Sequence, residues 1–472
     1  MPPRGSRALT LVVASAFFVE SLASTVIATS LAAMAADLRI DPITLKLAFT
    51  AYYVAMAVAI PVSGWCADRY GTRRVFVAAL AVFTLAGVLC ALAWDFPSLI
   101  AGRFLQGVGG AMMLPVGRLI VLRAVPRDEM VSAMAWMAIP ALIAPVIGPP
   151  LGGWITTYWH WRGIFWLGVP VGLAGALCAL RFVPQVRAAA LQRLDARGAL
   201  LVGLGLSLAT FGVTLASSDG REVAAGLAML AAGLLLLVLY GRHERRVEHP
   251  ILDLTLMRIE TFRVSVWAGT LFRVGTGAIP FLLPMMLQIG FGMTAFESGL
   301  LTFASAVGAI TMKVAAVPIL RRWGFRRVLW INALLSSVQM ALIGAFTTAT
   351  PAAVIVSVLL VGGFFRSLQF TSLNTLGYAD IPHERMPRAT ALSSVVGQLS
   401  LSLGVAVAAF FVDLSRSLAG RSTLAAVDFA HATVAVALLS AVAVVWLRQL
   451  APDAGAAVSG HRATPYDAQP TV

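Results

Sequence analysis

Glu20 sits in a run of apolar residues and is the one carboxylate we place inside any hydrophobic stretch. Burial favours a carboxylate's neutral form and a nearby cation favours its charged form. Such a group can take up and release a proton as its surroundings change. Five cations also fall in hydrophobic stretches: Arg103, Arg118, Arg273, Lys313 and Arg366. A charge at mid-bilayer costs at least about 2.5–3.5 kcal/mol, so each should face a cavity or a partner, or snorkel to the interface as Arg118 can near a span end. Lys313 and Arg366 could contact an anionic substrate. Tyr52, Met112, Phe281, Met285 and Phe370 could form an adaptable pocket for an organic molecule, and they serve equally as helix packing or lipid contacts. Cys66, Cys90 and Cys178 match no metal-ligand spacing. The GK pair of a phosphate-binding loop is absent. The residues therefore suit proton exchange and ligand binding without a metal or cofactor, and an enzyme is not expected.

Long apolar elements must position these groups. Of 472 residues, 59% are hydrophobic and 12% charged, against about 25% charged in soluble domains. Most of the surface must face something apolar. Stretches of roughly 20 apolar residues, the length that crosses a bilayer, recur from Ala8 to Leu447. Period-two alternation is weak, which argues against an outer-membrane barrel. The expectation is an all-α membrane protein with fourteen spans, beginning near residues 8, 46, 75, 98, 130, 163, 198, 222, 262, 297, 327, 351, 388 and 430. The apolar run behind Met1–Thr10 is too long for a signal-peptide core and reads as a first span.

The net charge is +14. A nucleic-acid partner is not expected, because the basic residues lie in short loops between spans. With the N-terminus inside, 24 of the 35 Lys and Arg fall on the cytoplasmic side, including Arg127 and Arg462. Six fall outside, including Arg221. That bias places both termini in the cytoplasm.

The chain also repeats itself. RYGTRRV from Arg69 returns as RWGFRRV from Arg322, 253 residues later, with five of seven positions identical. The offset carries spans one to five onto spans nine to thirteen. The organisation read from this is a six-helix bundle over 1–190, an inserted helix pair with a linker over 191–260, a second bundle over 261–450 and a polar tail over 451–472. Glu20 and Arg273 are repeat mates at the same offset. They are expected to act as a proton- or substrate-sensitive pair, the bland alternatives being a fixed ion pair or a Glu20 that reaches the interface.

Four motifs accompany the repeat. Gly64, Asp68, Arg69, Gly71, Arg73 and Arg74 stand in the loop after span two, where glycine permits close packing and a tight turn and Asp68 could face a helix N-terminus. Arg103 with Gln106, Gly107 and Gly109 stands in span four. Gly148, Pro149, Gly152 and Gly153 stand in span five, where small residues let helices approach and Pro bends them. Trp161, Arg162, Ile164 and Phe165 open span six, followed by Pro170 and Gly172.

On these motifs nearly the whole chain resembles the major facilitator superfamily, specifically its fourteen-span drug:proton antiporter branch. The resemblance implies two six-helix bundles rocking about a midplane site. It implies that the loop motif is a conformational latch, that Arg103 serves proton coupling, and that the GPxxGG-like run marks an antiporter. Span one departs from the pattern LDxTIVNxAL: the usual acid is Ala23 and the usual Asn is Ala28. Glu20 stands one turn earlier on the same face. Span five departs mildly, with Ala144 where relatives carry a further glycine. The implied function is proton-driven export of small organic molecules or drugs across the cytoplasmic membrane, with protons, a small-molecule substrate and the lipid bilayer as partners and a monomer sufficient. One alternative is export of an endogenous organic anion or metal chelate, which the excess of buried cations would suit. The other is a non-transporting membrane sensor, against which the short tail counts.

Overall fold

The computed structural model describes residues 4–126, 129–187, 193–216 and 222–461. Arg127, Asp219, Arg221 and Arg462 lie outside the described residues. Every regular element among them is helical, as lipid requires of a chain that must satisfy its own backbone hydrogen bonds.

Span one is α1 (Arg4–Val26), a 3-10 turn at Ile27–Ser30, and α2 (Leu31–Leu38). Ser24, Thr25 and Thr29 each donate a side-chain hydrogen bond back to a carbonyl three or four residues earlier, a habit that bends helices. Then come α3 (Lys46–Tyr70), α4 (Thr72–Ala91), α5 (Phe96–Ala124), α6 (Met130–Tyr158), the single turn α7 (Gly163–Trp166) and α8 (Gly168–Phe182). Asp95 and Ser98 form a reciprocal capping box that starts α5. The second part of the chain holds α9 (Ala196–Ala216), α10 (Glu222–Glu244), α11 (Glu260–Met285), α12 (Ala295–Gly344), α13 (Ala352–Tyr378), α14 (Met386–Leu418), α15 (Ala426–Ala441), α16 (Ala443–Leu447) and α17 (Ala456–Ser459).

Twelve helical stretches among the described residues are long and apolar enough to cross a membrane. One of them, α12, has 50 residues, and a straight helix of that length would run about 75 Å, far beyond a hydrocarbon core of about 30 Å. It breaks at Gly324, where φ is 68°, and so comprises two helices. The 29-residue α6 is an additional apolar helix outside the twelve.

The chain divides into two compact units. Unit one is Met1–Ile251 with Met293–Leu300. Its core gathers Val13, Phe17, Phe76, Phe83, Met113 and Val116. The pair α9–α10 belongs to this unit. The two helices meet through glycines spaced by seven, Gly205 and Gly212 against Gly226 and Gly233. A methyl at Gly212 would come 2.5 Å from the Leu230 nitrogen, and one at Gly233 would come 2.4 Å from that of Ala209. Thr214 of α9 meets Thr50 of α3 at 3.3 Å, while α10 presents Leu227, Leu234 and Leu235 outward. Unit two is Leu252–Gly292 with Leu301–Val472. Phe272, Met312, Phe325, Leu329, Leu376 and Leu447 centre its core.

Two acids correct the expectation that Glu20 stands alone. Asp413 and Asp428 are also helical and buried. Both lie near helix ends and are paired, Asp413 with Arg416 and Asp428 with Arg421. The helices simply run further than the apolar stretches that announce them.

Candidate functional site

Glu20 lies in unit one, 9% exposed. Its Oε1 accepts a hydrogen bond from the hydroxyl of Tyr52 on α3 at 3.0 Å. The guanidinium of Arg103 on α5 stacks over the same Tyr52 ring, 4.3 Å from its centroid. Arg103 is fully buried. Its Nη1 donates to Gln106 at 2.7 Å and its Nε to the Ala48 carbonyl at 3.5 Å, while its Nη2 has no hydrogen-bond partner. Arg103 acts on Glu20 electrostatically as well.

The span-four glycines make this cluster possible. A methyl at Gly107 would come 2.4 Å from the Tyr52 carbonyl oxygen, and one at Gly109 would come 2.7 Å from the Phe83 nitrogen. Gly110 lies against the Glu20 side chain and the Tyr52 hydroxyl, both 3.4 Å from a Cβ built there. Close approach of α5 to α3 and α4 thus carries Arg103 to Tyr52, and Tyr52 joins acid to cation. Tyr52, expected as a pocket aromatic, is 1% exposed and committed to Glu20. Its position 32 residues away gave the sequence no means of announcing that bond.

In unit two the cations have neutral partners. Arg273 on α11 donates to Asn374 Oδ1 at 2.9 Å and lies 5.4 Å from the centroid of the Phe370 ring. Lys313 donates to Thr371 at 2.9 Å, and Arg366 donates to Ser305. Arg366, Phe370 and Asn374 recur at intervals of four on α13, one helix face. Phe281 and Met285 are packed in the interior at 0% and 1% exposure. Met112 is half-buried, and Lys313 and Phe370 are exposed.

The loop after α3 is gripped by the chain just beyond α8. Gly71 adopts φ 92°, and Gln185 stands over it so closely that a Cβ would come 2.1 Å from Nε2. Gln185 donates to the Tyr70 carbonyl at 2.9 Å and accepts from the Arg74 amide at 3.3 Å. Thr72 donates its hydroxyl to Pro184 and its amide to Val186, at 3.1 and 3.0 Å. Asp68 pairs with Arg123 of α5 at 2.7 Å, a side-chain cation where a helix N-terminus was expected. Arg69 is exposed, and Arg73 reaches the Leu180 carbonyl at 3.5 Å. Gly64 is open, with nothing within 4 Å of a Cβ there, so close packing does not explain it in this conformation.

The span-five glycines pack on the bend of span one. A methyl at Gly148 would come 2.4 Å from Thr25 Oγ1, and one at Gly152 would come 2.6 Å from the Val26 carbonyl oxygen. Gly153 meets the start of α12 at Ala295, and Pro149 meets Gly299. A residue that sequence reasoning passed over, Asp37 at the end of span one, accepts from Trp161 Nε1 at 3.0 Å and from Arg162. Arg162 also donates to the Ala93 carbonyl at 2.7 Å. Trp161 and Arg162 therefore tie span one to the end of α4.

Comparison with known proteins agrees with this arrangement. Residues 13–405 match the model of the Major Facilitator Superfamily. The chain is 36% identical over 403 residues to a putative multidrug resistance protein MdtD of Pectobacterium carotovorum, covering 85% of this chain and 86% of the relative. It is 36% identical over 418 residues to the Escherichia coli protein of that name, covering 87% of each. In fold it resembles an auto-inhibited POT family peptide transporter, with a TM-score of 0.69 at 15% identity over 95% of this chain and 98% of that one. The chain is a multi-pass membrane protein that belongs to the Major Facilitator Superfamily of secondary transporters.

Proposed function

We propose that the protein is a proton-coupled antiporter that exports small organic molecules from the cytoplasm by alternating access of its two six-helix bundles. The observation that carries this reading is the Glu20–Tyr52–Arg103 cluster. Glu20 is the proton carrier. With Glu20 charged, the hydroxyl of Tyr52 and the guanidinium of Arg103 stabilise the carboxylate. With Glu20 protonated, that stabilisation is lost and Arg103 is freed to prefer another arrangement, so occupancy by a proton biases the conformation. The multidrug resistance relatives support export of drug-like molecules. The grip of Gln185 on the Gly71 turn and the Asp68–Arg123 pair support a latch role for the loop motif, and the packing of Gly148 and Gly152 on the bend of span one supports a hinge there.

Fourteen spans, a cytoplasmic-membrane location and both termini in the cytoplasm complete the reading. The break of α12 at Gly324 and the extra helix α6 support the count, and the 24-to-6 charge bias supports the orientation. The bundles correspond to 1–190 and 261–450, with α9 and α10 inserted between them in the chain. A second reading, export of an organic anion or chelate, is favoured by the neutral hydrogen-bond partners of Arg273, Lys313 and Arg366.

Counterflow in proteoliposomes, with cationic drugs and organic anions and with and without a pH gradient, tests both readings. Substrate accumulation driven by the gradient and lost in Glu20→Gln is the expected result. Accumulation indifferent to the gradient would sink proton coupling.

A further inference from the structure

A cavity of about 230 Å³ lies inside unit two between α11, α13 and α14. Its polar wall is Arg273, Ser265, Asn374, Tyr378 and Ser393, with Phe262 among the apolar residues. No carboxylate lines it. Arg273 and Ser265 are each 6% exposed. The Ser265 hydroxyl has no hydrogen-bond partner, and the hydrogen bond of Arg273 ends on a neutral amide.

A guanidinium withdrawn from water without a counter-charge is costly, and a buried unpaired hydroxyl adds to that cost. Both are relieved by one kind of ligand: an oxyanion that accepts from each. Arg presents a planar fork matched to two oxygens of a carboxylate. The volume falls below the roughly 300–1,000 Å³ of drug-sized pockets. It suits a small organic acid, or the acidic end of a larger molecule.

We propose that this cavity is a binding site for the carboxylate of an organic anion, with Arg273 as its ion-pair partner and Ser265 as a hydrogen-bond donor. The inference rests on the export reading for its direction. The cavity sits by the start of α11 and the end of α13, which that reading turns towards the cytoplasm, so it would load substrate from that side. A lipid phosphate offers similar oxyanion chemistry, and the test separates the two.

The test uses the purified full chain in detergent without any gradient. Binding of radiolabelled benzoate is measured by equilibrium dialysis, with benzamide as the uncharged competitor. Saturable benzoate binding that benzamide does not displace is expected. Arg273→Gln should weaken it roughly tenfold or more, and Ser265→Ala by roughly fivefold, as befits loss of a charged and a neutral partner. Arg273→Lys keeps the charge without the fork and should fall between wild type and Arg273→Gln, which guards against a variant that merely misfolds. No saturable binding to wild type, or equal affinity in a well-folded Arg273→Gln, would overturn the site. So would a co-purifying lipid phosphate that blocks Arg273 and that benzoate fails to displace. Benzoate binding without proton-coupled transport would overturn the proposed function and leave this site standing. Proton-driven transport of cations with no benzoate binding would do the reverse.

Discussion

Gly324 is the structural counterpart of Gly71. The two are 253 residues apart, and both turn the chain at positive φ, 68° and 92°. Each lies under a polar side chain from beyond the last long helix of its own six-helix set. Gln185 covers Gly71, and His461 covers Gly324, its ring 2.8 Å from where a Cβ would stand. His461 is also held to the Arg321 carbonyl at 3.1 Å, and the neighbouring Gly455 packs on Phe325 and Leu376. The repeat thus extends from sequence to backbone and to the way each turn is covered.

Gly71→Ala should therefore be costly twice over. Its φ of 92° and ψ of 146° fall where only glycine is at ease, a strain of order 1–3 kcal/mol, and the new methyl meets Gln185. The expected outcome is a lower melting temperature in detergent. Gln185→Ala alone should lower it less, since it removes the grip without straining the turn. Equal melting of wild type and Gly71→Ala would contradict the geometry.

The Asp68–Arg123 pair should matter to rate and little to fold. Its side chains are 36% and 27% exposed, and a pair so accessible contributes about 1 kcal/mol at most. Asp68→Asn should slow transport severalfold while substrate binding and melting stay near wild type. Exchanging the charges, Asp68→Arg with Arg123→Asp, should recover part of the rate. A large loss of substrate affinity in folded Asp68→Asn would remove the latch role.

Asp253, in the segment between α10 and α11, supplies a pH test of stability. Burial pushes its carboxyl up, but the Thr255 hydrogen bond and the Arg385 guanidinium at 2.8 Å together hold it below the usual range. A lowered carboxylate stabilises the fold above its unfolded pKa of about 3.9 and loses that contribution as pH falls through the folded value. The melting difference between wild type and Asp253→Asn should be full at pH 6–7 and shrink below about pH 4. A difference that stays constant down to pH 3 would show that charge is not its source.

Glu20→Gln should abolish transport driven by a pH gradient and spare substrate exchange at equal pH, because exchange moves no net proton. Adding Ala23→Asp should restore some coupling, since the two positions share a helix face. Tyr52→Phe keeps the ring beneath Arg103 and removes the donor to Glu20; it should shift the pH profile and leave exchange intact. Gradient-driven transport unchanged in a folded Glu20→Gln would take Glu20 out of the mechanism.

Reporter fusions after Arg187 and after Arg258 should both report cytoplasm, and one near Asp219 the outside. A cytoplasmic report near Asp219 would mean that α9 and α10 do not span.

The helices, the repeat and the isolation of Glu20 could be read from the chain because they are local quantities. Apolar length, charge placement and a returning RxGxRRV string need no neighbour in space. Even the glycine at each turn was legible, since only glycine takes positive φ without strain. What Glu20 touches was not. Tyr52, Arg123, Gln185 and Asp37 acquire their roles from how helices rotate and how closely they approach, and those are set by pairwise contacts such as Gly107 on the Tyr52 carbonyl or Gly152 on Val26. An apolar helix in lipid has no polar face to announce its orientation. Tertiary packing alone decided that Arg103 meets a tyrosine shared with the acid, and that Arg273 meets a neutral amide beside a cavity.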